Sequence, residues 1–326
     1  MFARARRLIL LGPLGLALAV ASFGGSTSPA RAAPTAPITI KVGLIPITDV
    51  APVYLGIKKG FFRRQNLVVE PHLAAGGAVI IPSVVSGEFH FGFSNIVSEL
   101  LAYSQGLRVQ IVSPGSAGAK TAERAWSGVI VPEDSPIRSA RDLQGRTISV
   151  NTLNNIGDVT IRESLRKRGA NPASPRFVEI PFPGAVQALS ANRVDAAWVV
   201  EPFLTQGLVG GSRMVLANYE VTSPSLPIAT YFTTKQYADR NPGVVRRFRT
   251  AMRQSLNYAR THPRQARNIV LSYTRISSGV VARMQLPSWP PTLDRKKVDL
   301  ISSLMVRYGL IRSKPNLDGL LRLGQR

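Results

Sequence analysis

Apolar, β-branched runs alternate with stretches of helical period along this chain of 326 residues. Residues 38–45 form a β-branched run closed by Pro46, and residues 51–59 a short helical pattern stopped at Gly60. Residues 67–73, 89–93 and 109–113 predict further strands. Between them come a loop at 74–77, a helix over 80–86 ended by Gly87, and a helix over 94–105 capped by Ser94. The alternation then restarts, with strands at 128–131, 146–150, 177–180, 196–200 and 214–216 and helices at 158–168 and 185–190. Strands interleaved with helices predict an α/β fold whose parallel or mostly parallel sheet carries helices on both faces. The last third is mainly helical. Within residues 243–259, Val245, Phe248, Met252, Leu256 and Ala259 recur at the spacing of an amphipathic helix, ended by His262-Pro263. Residues 264–273 and 296–308 predict two more helices, separated by an extended loop at 287–291.

The first residues follow another logic. Arg4, Arg6 and Arg7 precede an apolar run over 8–21, then small and polar residues ending in Ala30-Arg31-Ala32-Ala33. A basic head, a short apolar run and an Ala-x-Ala exit predict a secretory signal over residues 1–32, cleaved near Ala32. The run is shorter than the roughly 20 residues of a membrane span. Arg6-Arg7 also fits twin-arginine export. The mature chain is expected to be soluble and exported.

Charge and composition narrow the chemistry. Lys and Arg number 41 against 18 Asp and Glu, a net charge of +23. The cations are spread along the chain, with no run longer than Arg166-Lys167-Arg168 or Arg295-Lys296-Lys297 and no nucleic-acid motif beside them. A solvated basic surface that draws small anions is therefore expected, and no nucleic-acid partner. There is no cysteine, which excludes disulfides, thiolate metal sites, a cysteine nucleophile and a lipid-modified cysteine. His72, His90 and His262 fall at no metal-ligand or nucleophile spacing, and phosphate-loop and dinucleotide fingerprints do not occur.

In open α/β sheets, ligands bind beyond the carboxyl ends of strands. That rule selects Ile47, Thr48 and Asp49, then Ala75, Gly76 and Gly77, Ser94 and Asn95, and Pro114, Gly115 and Ser116. Further along it selects the loop 151–157 with Thr152, Asn154 and Asn155, then Pro181, Phe182 and Pro183, and finally Glu201. The loop 151–157 is uncharged, rich in amides and leads into a helix, where free backbone N–H groups favour an anion. Ser94 and Asn155 serve equally well as helix caps. Trp198 walls the cleft or belongs to the core. Asp49 and Glu201 suit an ammonium or ring N–H. No Arg or Lys falls in the selected loops, so an anion would be held by neutral dipoles.

The residues Val42-Gly43-Leu44-Ile45-Pro46, followed by Ala51-Pro52-Val53-Tyr54-Leu55-Gly56-Ile57-Lys58-Lys59-Gly60-Phe61-Phe62, resemble the opening of nitrate/sulfonate/taurine-type ABC-transporter substrate-binding proteins. Ala188-Leu189-Ser190-Ala191-Asn192-Arg193-Val194-Asp195-Ala196-Ala197-Trp198 and Glu201-Pro202-Phe203 continue the resemblance, as does Tyr308-Gly309-Leu310-Ile311. It implies a type II periplasmic-binding fold, two α/β lobes joined by two hinge strands near residues 126–128 and 226–232. Lobe 1 would take residues 33–125 and 224–326, and lobe 2 residues 126–223. It further implies a periplasmic protein, monomeric and without cofactor, that closes on a small molecule and docks on an ABC permease. The expected ligand is a small organic anion, a sulfonate such as taurine or an aromatic carboxylate such as phthalate. A neutral pyrimidine of the thiamine-precursor kind is the alternative. The resemblance also reaches fungal proteins that make the thiamine pyrimidine with an iron site and a lysine-bound pyridoxal phosphate. The lack of cysteine and of a histidine cluster speaks against that enzyme here.

Overall fold

The computed structural model describes residues 36–321, so the signal predicted over 1–32 lies outside the described residues. Ten strands among these residues build two five-stranded sheets. They are β1 (Ile38–Leu44), β2 (Leu67–Leu73), β3 (Phe91–Asn95), β4 (Val109–Ala117) and β5 (Ser127–Pro132). The series continues with β6 (Thr147–Val150), β7 (Arg176–Glu179), β8 (Ala196–Val200), β9 (Ser212–Leu216) and β10 (Pro227–Thr234). The first sheet runs β2-β1-β3-β10-β4 and the second β7-β6-β8-β5-β9.

Burial follows position in the sheet. The inner strands β3 and β8 are buried along their whole length, and β8 is the continuous apolar run expected of a strand covered on both faces. The edge strand β2 is largely exposed and tolerates Pro71, whose missing N–H costs nothing at an edge. The helix Pro242–Thr261 turns Val245, Phe248, Met252 and Leu256 inward, and Phe248 stacks on Phe91 at 4.0 Å between ring centres. Pro242 at its first turn gives up an N–H that has no helical partner anyway.

Each sheet is mostly parallel, as the alternation of strands and helices predicts, with four strands in one direction and a single reversed strand. Strand β1 runs parallel to β2 and β3, but β10 is antiparallel to both β3 and β4. Likewise β6 is parallel to β7 and β8, whereas β5 is antiparallel to β8 and β9. The reversed strands are the two whose chain arrives from the other sheet. They come in through a connecting segment rather than a covering helix, so the crossover that enforces parallel pairing is absent. The two connections run side by side, joined by Gly118 N–H to Leu226 C=O at 2.8 Å and Ser225 N–H to Ala119 C=O at 2.8 Å.

Two local expectations change. Pro114, Gly115 and Ser116, expected in a loop, belong to β4, which pairs with β10 through register shifts that absorb the proline and glycine. Ser94 is the fourth residue of β3. The cap of the helix Ile96–Ser104 is Asn95, whose Oδ1 accepts from Ser98 N–H at 3.0 Å. No helix among the described residues is long and apolar enough to cross a membrane.

Candidate functional site

The carboxyl ends of β1, β3 and β8 converge on a small cavity of about 30 Å³ between the two sheets. From the first sheet its wall takes Ile47, Asp49, Phe93 and Asn95; from the second, Asn151, Phe182, Trp198 and Tyr219. The space holds about two water molecules. Its lining is mostly apolar and aromatic, with one carboxylate, two amides and no Lys or Arg.

Asp49 is the charged member. A single turn, Thr48–Val50, follows β1 and leads directly into the helix Ala51–Lys58, so the side chain is held at a strand end and a helix start together. The residue is 2% exposed. Ser116 donates its hydroxyl to Asp49 Oδ1, Trp289 Nε1–H donates to the Asp49 carbonyl at 3.1 Å, and Oδ2 meets no partner. Burial pushes the carboxyl pKa up to about 7, outweighing the Ser116 hydrogen bond that pulls it down. The neighbouring Tyr231 hydroxyl is likewise buried without a partner, and burial raises its pKa well above the phenol range, as the Asp49 charge also does.

Trp198 is buried and held by its own hydrogen bond, Nε1–H to Ser127 Oγ at 2.9 Å. Phe182 meets it edge to face at 5.3 Å, and Tyr219 at 6.2 Å between ring centres. The aromatic wall is therefore set by packing and one polar anchor.

The amide-rich loop divides its labour. Asn155 accepts from Gly157 N–H at 2.8 Å and Asp158 N–H at 3.3 Å, capping the helix Ile156–Lys167. Its Nδ2 donates to Asn151 Oδ1 at 2.7 Å and to Thr152 Oγ1 at 3.2 Å. All its polar groups are thus engaged within the loop. What it holds in place is Asn151, which lines the cavity. Asn154 is exposed, at φ 55°, a left-handed turn position that Asn accepts. Thr152 is buried against Gly76, where an added Cβ would lie 2.7 Å from Thr152 Cγ2.

Glu201 differs from Asp49 although both follow a strand. Its Oε1 accepts from Thr205 Oγ1–H at 2.7 Å and from Gln285 N–H at 3.1 Å, and its Oε2 from Thr205 N–H at 3.1 Å. Burial raises its pKa to about 7 against those bonds. Its carbonyl accepts from Thr48 N–H at 3.0 Å. Glu201 therefore ties the end of β8 to the turn after β1 and to Gln285, and does not line the cavity. Gly76 and Gly77 serve close approach. A Cβ on Gly76 would lie 2.9 Å from Asn151 Nδ2, and one on Gly77 2.0 Å from Ser94 Oγ.

Of the residues that the strand-end rule selects, Ile47, Asp49, Asn95, Asn151, Ile156 and Phe182 wall the cavity, and Trp198 joins them from the middle of β8. Ser116, Thr48 and Asn155 support it from behind, Thr152 packs against Gly76, Gly77 and Ser94 pack against each other, and Asn154 and Glu201 stand apart. Tyr219 and Phe93 escape the rule, because one comes from a short helix after β9 and the other from inside β3. Trp289 sits in an extended loop, and only its contact with Asp49 reveals it.

Two facing mixed sheets, each with one reversed strand, with a cavity between their strand ends, define the type II periplasmic-binding fold. Residues 47–266 match the NMT1/THI5-like family, and the chain belongs to that family. It is similar in fold to the ligand-binding component of an ABC-type import system from Staphylococcus aureus, solved with zinc bound (TM-score 0.77, 16% identity, 88% of this chain and 97% of that one). The alkanesulfonate-binding protein SsuA from Xanthomonas axonopodis, bound to MOPS, gives 0.72 at 16% identity over 88% and 96%. The periplasmic nitrate-binding protein NrtA from Synechocystis gives 0.72 at 15% identity over 88% and 86%. No curated protein matches the sequence.

Proposed function

We propose that this protein is the exported, periplasmic solute-binding component of an ABC importer and that it captures a small nitrogen-bearing ring compound without catalysis. Residues 33–125 with 224–326 would form one lobe and residues 126–223 the other, closing on the solute and presenting it, as a monomer, to a permease. One observation carries the choice of solute. The cavity between the sheets offers a buried carboxylate oxygen without a partner, amid aromatic rings and amides, and no cation. Such a site suits an N–H donor on a flat ring, as in an aminopyrimidine: Asp49 accepts the N–H, Asn95 and Asn151 take the remaining polar atoms, and Trp198 and Phe182 face the ring. The three histidines support a binding role, since each is engaged outside the cavity. His72 stacks on Phe89, His90 accepts from Lys41 N–H, and His262 stacks on Tyr258.

A second reading rests on the same carboxyl. With its pKa near 7, Asp49 is protonated in mildly acid solution and donates rather than accepts. A small organic anion, taurine or phthalate, would then be held by an O–H and two amides, in keeping with the sulfonate-binding protein of like fold. Melting temperatures measured with aminopyrimidines, taurine, phthalate and nitrate at pH 6 and pH 8 separate the two. The first reading expects aminopyrimidines to stabilise most at pH 8 and Asp49→Asn to abolish the effect. Stabilisation by sulfonate or carboxylate alone, strongest at pH 6, replaces it with the second. A flat response to the whole panel removes both.

A further inference from the structure

The acidic and basic residues are not evenly mixed in the C-terminal third. Residues 240–293 contain ten arginines and no Asp or Glu. Part of this segment borders a recess of about 850 Å³ on the far side of β4, within the range of small-molecule sites. Its walls are β4 at Val112–Pro114, the helix Pro242–Thr261 and the extended segment 289–293. Leu256, Trp289, Pro291 and Leu293 supply an apolar floor.

The helix supplies the charge. Arg249, Arg253 and Arg260 line the recess at spacings of four and seven, which place them on one stripe about 16 Å long. Arg249 is half-buried, and burial lowers its pKa. Arg253 and Arg260 are exposed, and neither meets a carboxylate among the described residues. Arg260 donates one Nη2 bond to Asn257 Oδ1 at 2.7 Å and keeps its other donors. The acids that flank the segment are both engaged: Asp239 pairs with Lys235, and Asp294 caps the helix Arg295–Arg307 through Lys296 and Lys297 N–H.

Guanidinium forks beside an apolar floor match one chemistry. A carboxylate or sulfonate takes the paired N–H donors, and an attached ring or alkyl chain covers the floor. We propose that this recess is a second binding site, for a free amphiphilic organic anion, distinct from the cavity between the sheets. Trp289 links the two places without lining the cavity: it lines the recess, and its Nε1–H holds the turn that carries Asp49.

The test is a fluorescence titration of the mature protein with anilinonaphthalene sulfonate. The wild type is compared with Arg253→Leu/Arg260→Leu and with Asp49→Asn, each checked for unchanged circular dichroism. The proposal expects one bound probe, affinity lowered about tenfold or more in the double variant, and no change in Asp49→Asn. Decanoate should displace the probe and decylamine should not. Equal affinity in the double variant overturns the proposal. So does loss of binding in Asp49→Asn, which would put the probe between the sheets. Arginine-dependent binding to phosphatidylglycerol vesicles, with probe affinity unchanged in the double variant, overturns it in favour of a lipid surface. Because the aminopyrimidine experiment reads Asp49 and this one reads Arg253 and Arg260, either site can fail without the other.

Discussion

Asp49 spends its folded life with one oxygen bonded and the other buried without a partner. Its ordinary pKa of 3.8 rises to about 7, so between those values the unfolded chain has lost a proton that the folded chain keeps. Stability is therefore full below about pH 4, falls as pH rises towards 7, and then levels off. The gap between the two values sets a ceiling of about 4 kcal/mol for this residue. Glu201 and Glu220, both raised from 4.5 to about 7 chiefly by burial, tilt the curve in the same direction. The urea midpoint should be lower at pH 8 than at pH 5, and Asp49→Asn should flatten part of that slope. A midpoint that climbs across this interval would show that Asp49 is ionised at little cost. Glu163 does not disturb the measurement. Burial raises its pKa, but Arg166, Tyr308 and Arg307 outweigh that and bring it to about 2, well below the window.

Single caps and bare glycines hold the secondary structure around the cavity. Asn155→Ala removes the cap of the helix Ile156–Lys167 and frees Asn151 from its tether. A loss of about 1–2 kcal/mol in denaturant unfolding is expected, with a weaker response to any cavity ligand. Gly77→Ala places a Cβ 2.9 Å from Ser94 Cα, backbone that cannot turn aside as a side chain can. About 1–3 kcal/mol of destabilisation follows, and a variant as stable as the wild type would mean the helix Gly77–Val85 can shift off β3 freely. The same elements show what the chain reveals unaided. Alternation of period locates most strands and helices, because inner strands such as β8 and the face of the helix Pro242–Thr261 are pure patterns of burial. The reversal of β5 and β10 has no local signature, since strand direction is decided by where the chain comes from. The strand-end rule reaches Asp49, Asn95 and Asn151 because each sits where a strand stops. It does not separate Asp49 from Glu201. That difference is made first by Thr205, whose hydroxyl and N–H satisfy both oxygens of Glu201, and then by Gln285, 84 residues further on, which adds a third bond.

Polar ties join the two halves. Thr48 N–H and Gln285 N–H both bond Glu201, Asn151 Nδ2 reaches the Ala75 carbonyl at 3.5 Å, and Tyr308 and Arg307 both bond Glu163. A cavity of about 30 Å³ admits no ring compound, so solute entry requires these ties to part. Small-angle scattering of the mature protein should give a larger radius of gyration without solute than with saturating solute. Glu201→Ala, which frees Gln285 and Thr205, should shift the solute-free form further open and weaken apparent affinity in proportion to the closed fraction lost. Identical radii in all three samples would rule out closure as the means of capture.

The place of β10 bears on how the protein is made. This strand lies between β3 and β4 but is encoded far downstream of both, after the whole second sheet. A nascent chain that ends before Pro227 leaves two raw strand borders with a strand-wide gap between them, and nothing made so far can fill it. The first sheet is thus completed only late in synthesis, by a segment that must return across the molecule. Such a polypeptide leaves its first sheet open for most of its length, which would suit the export proposed for it.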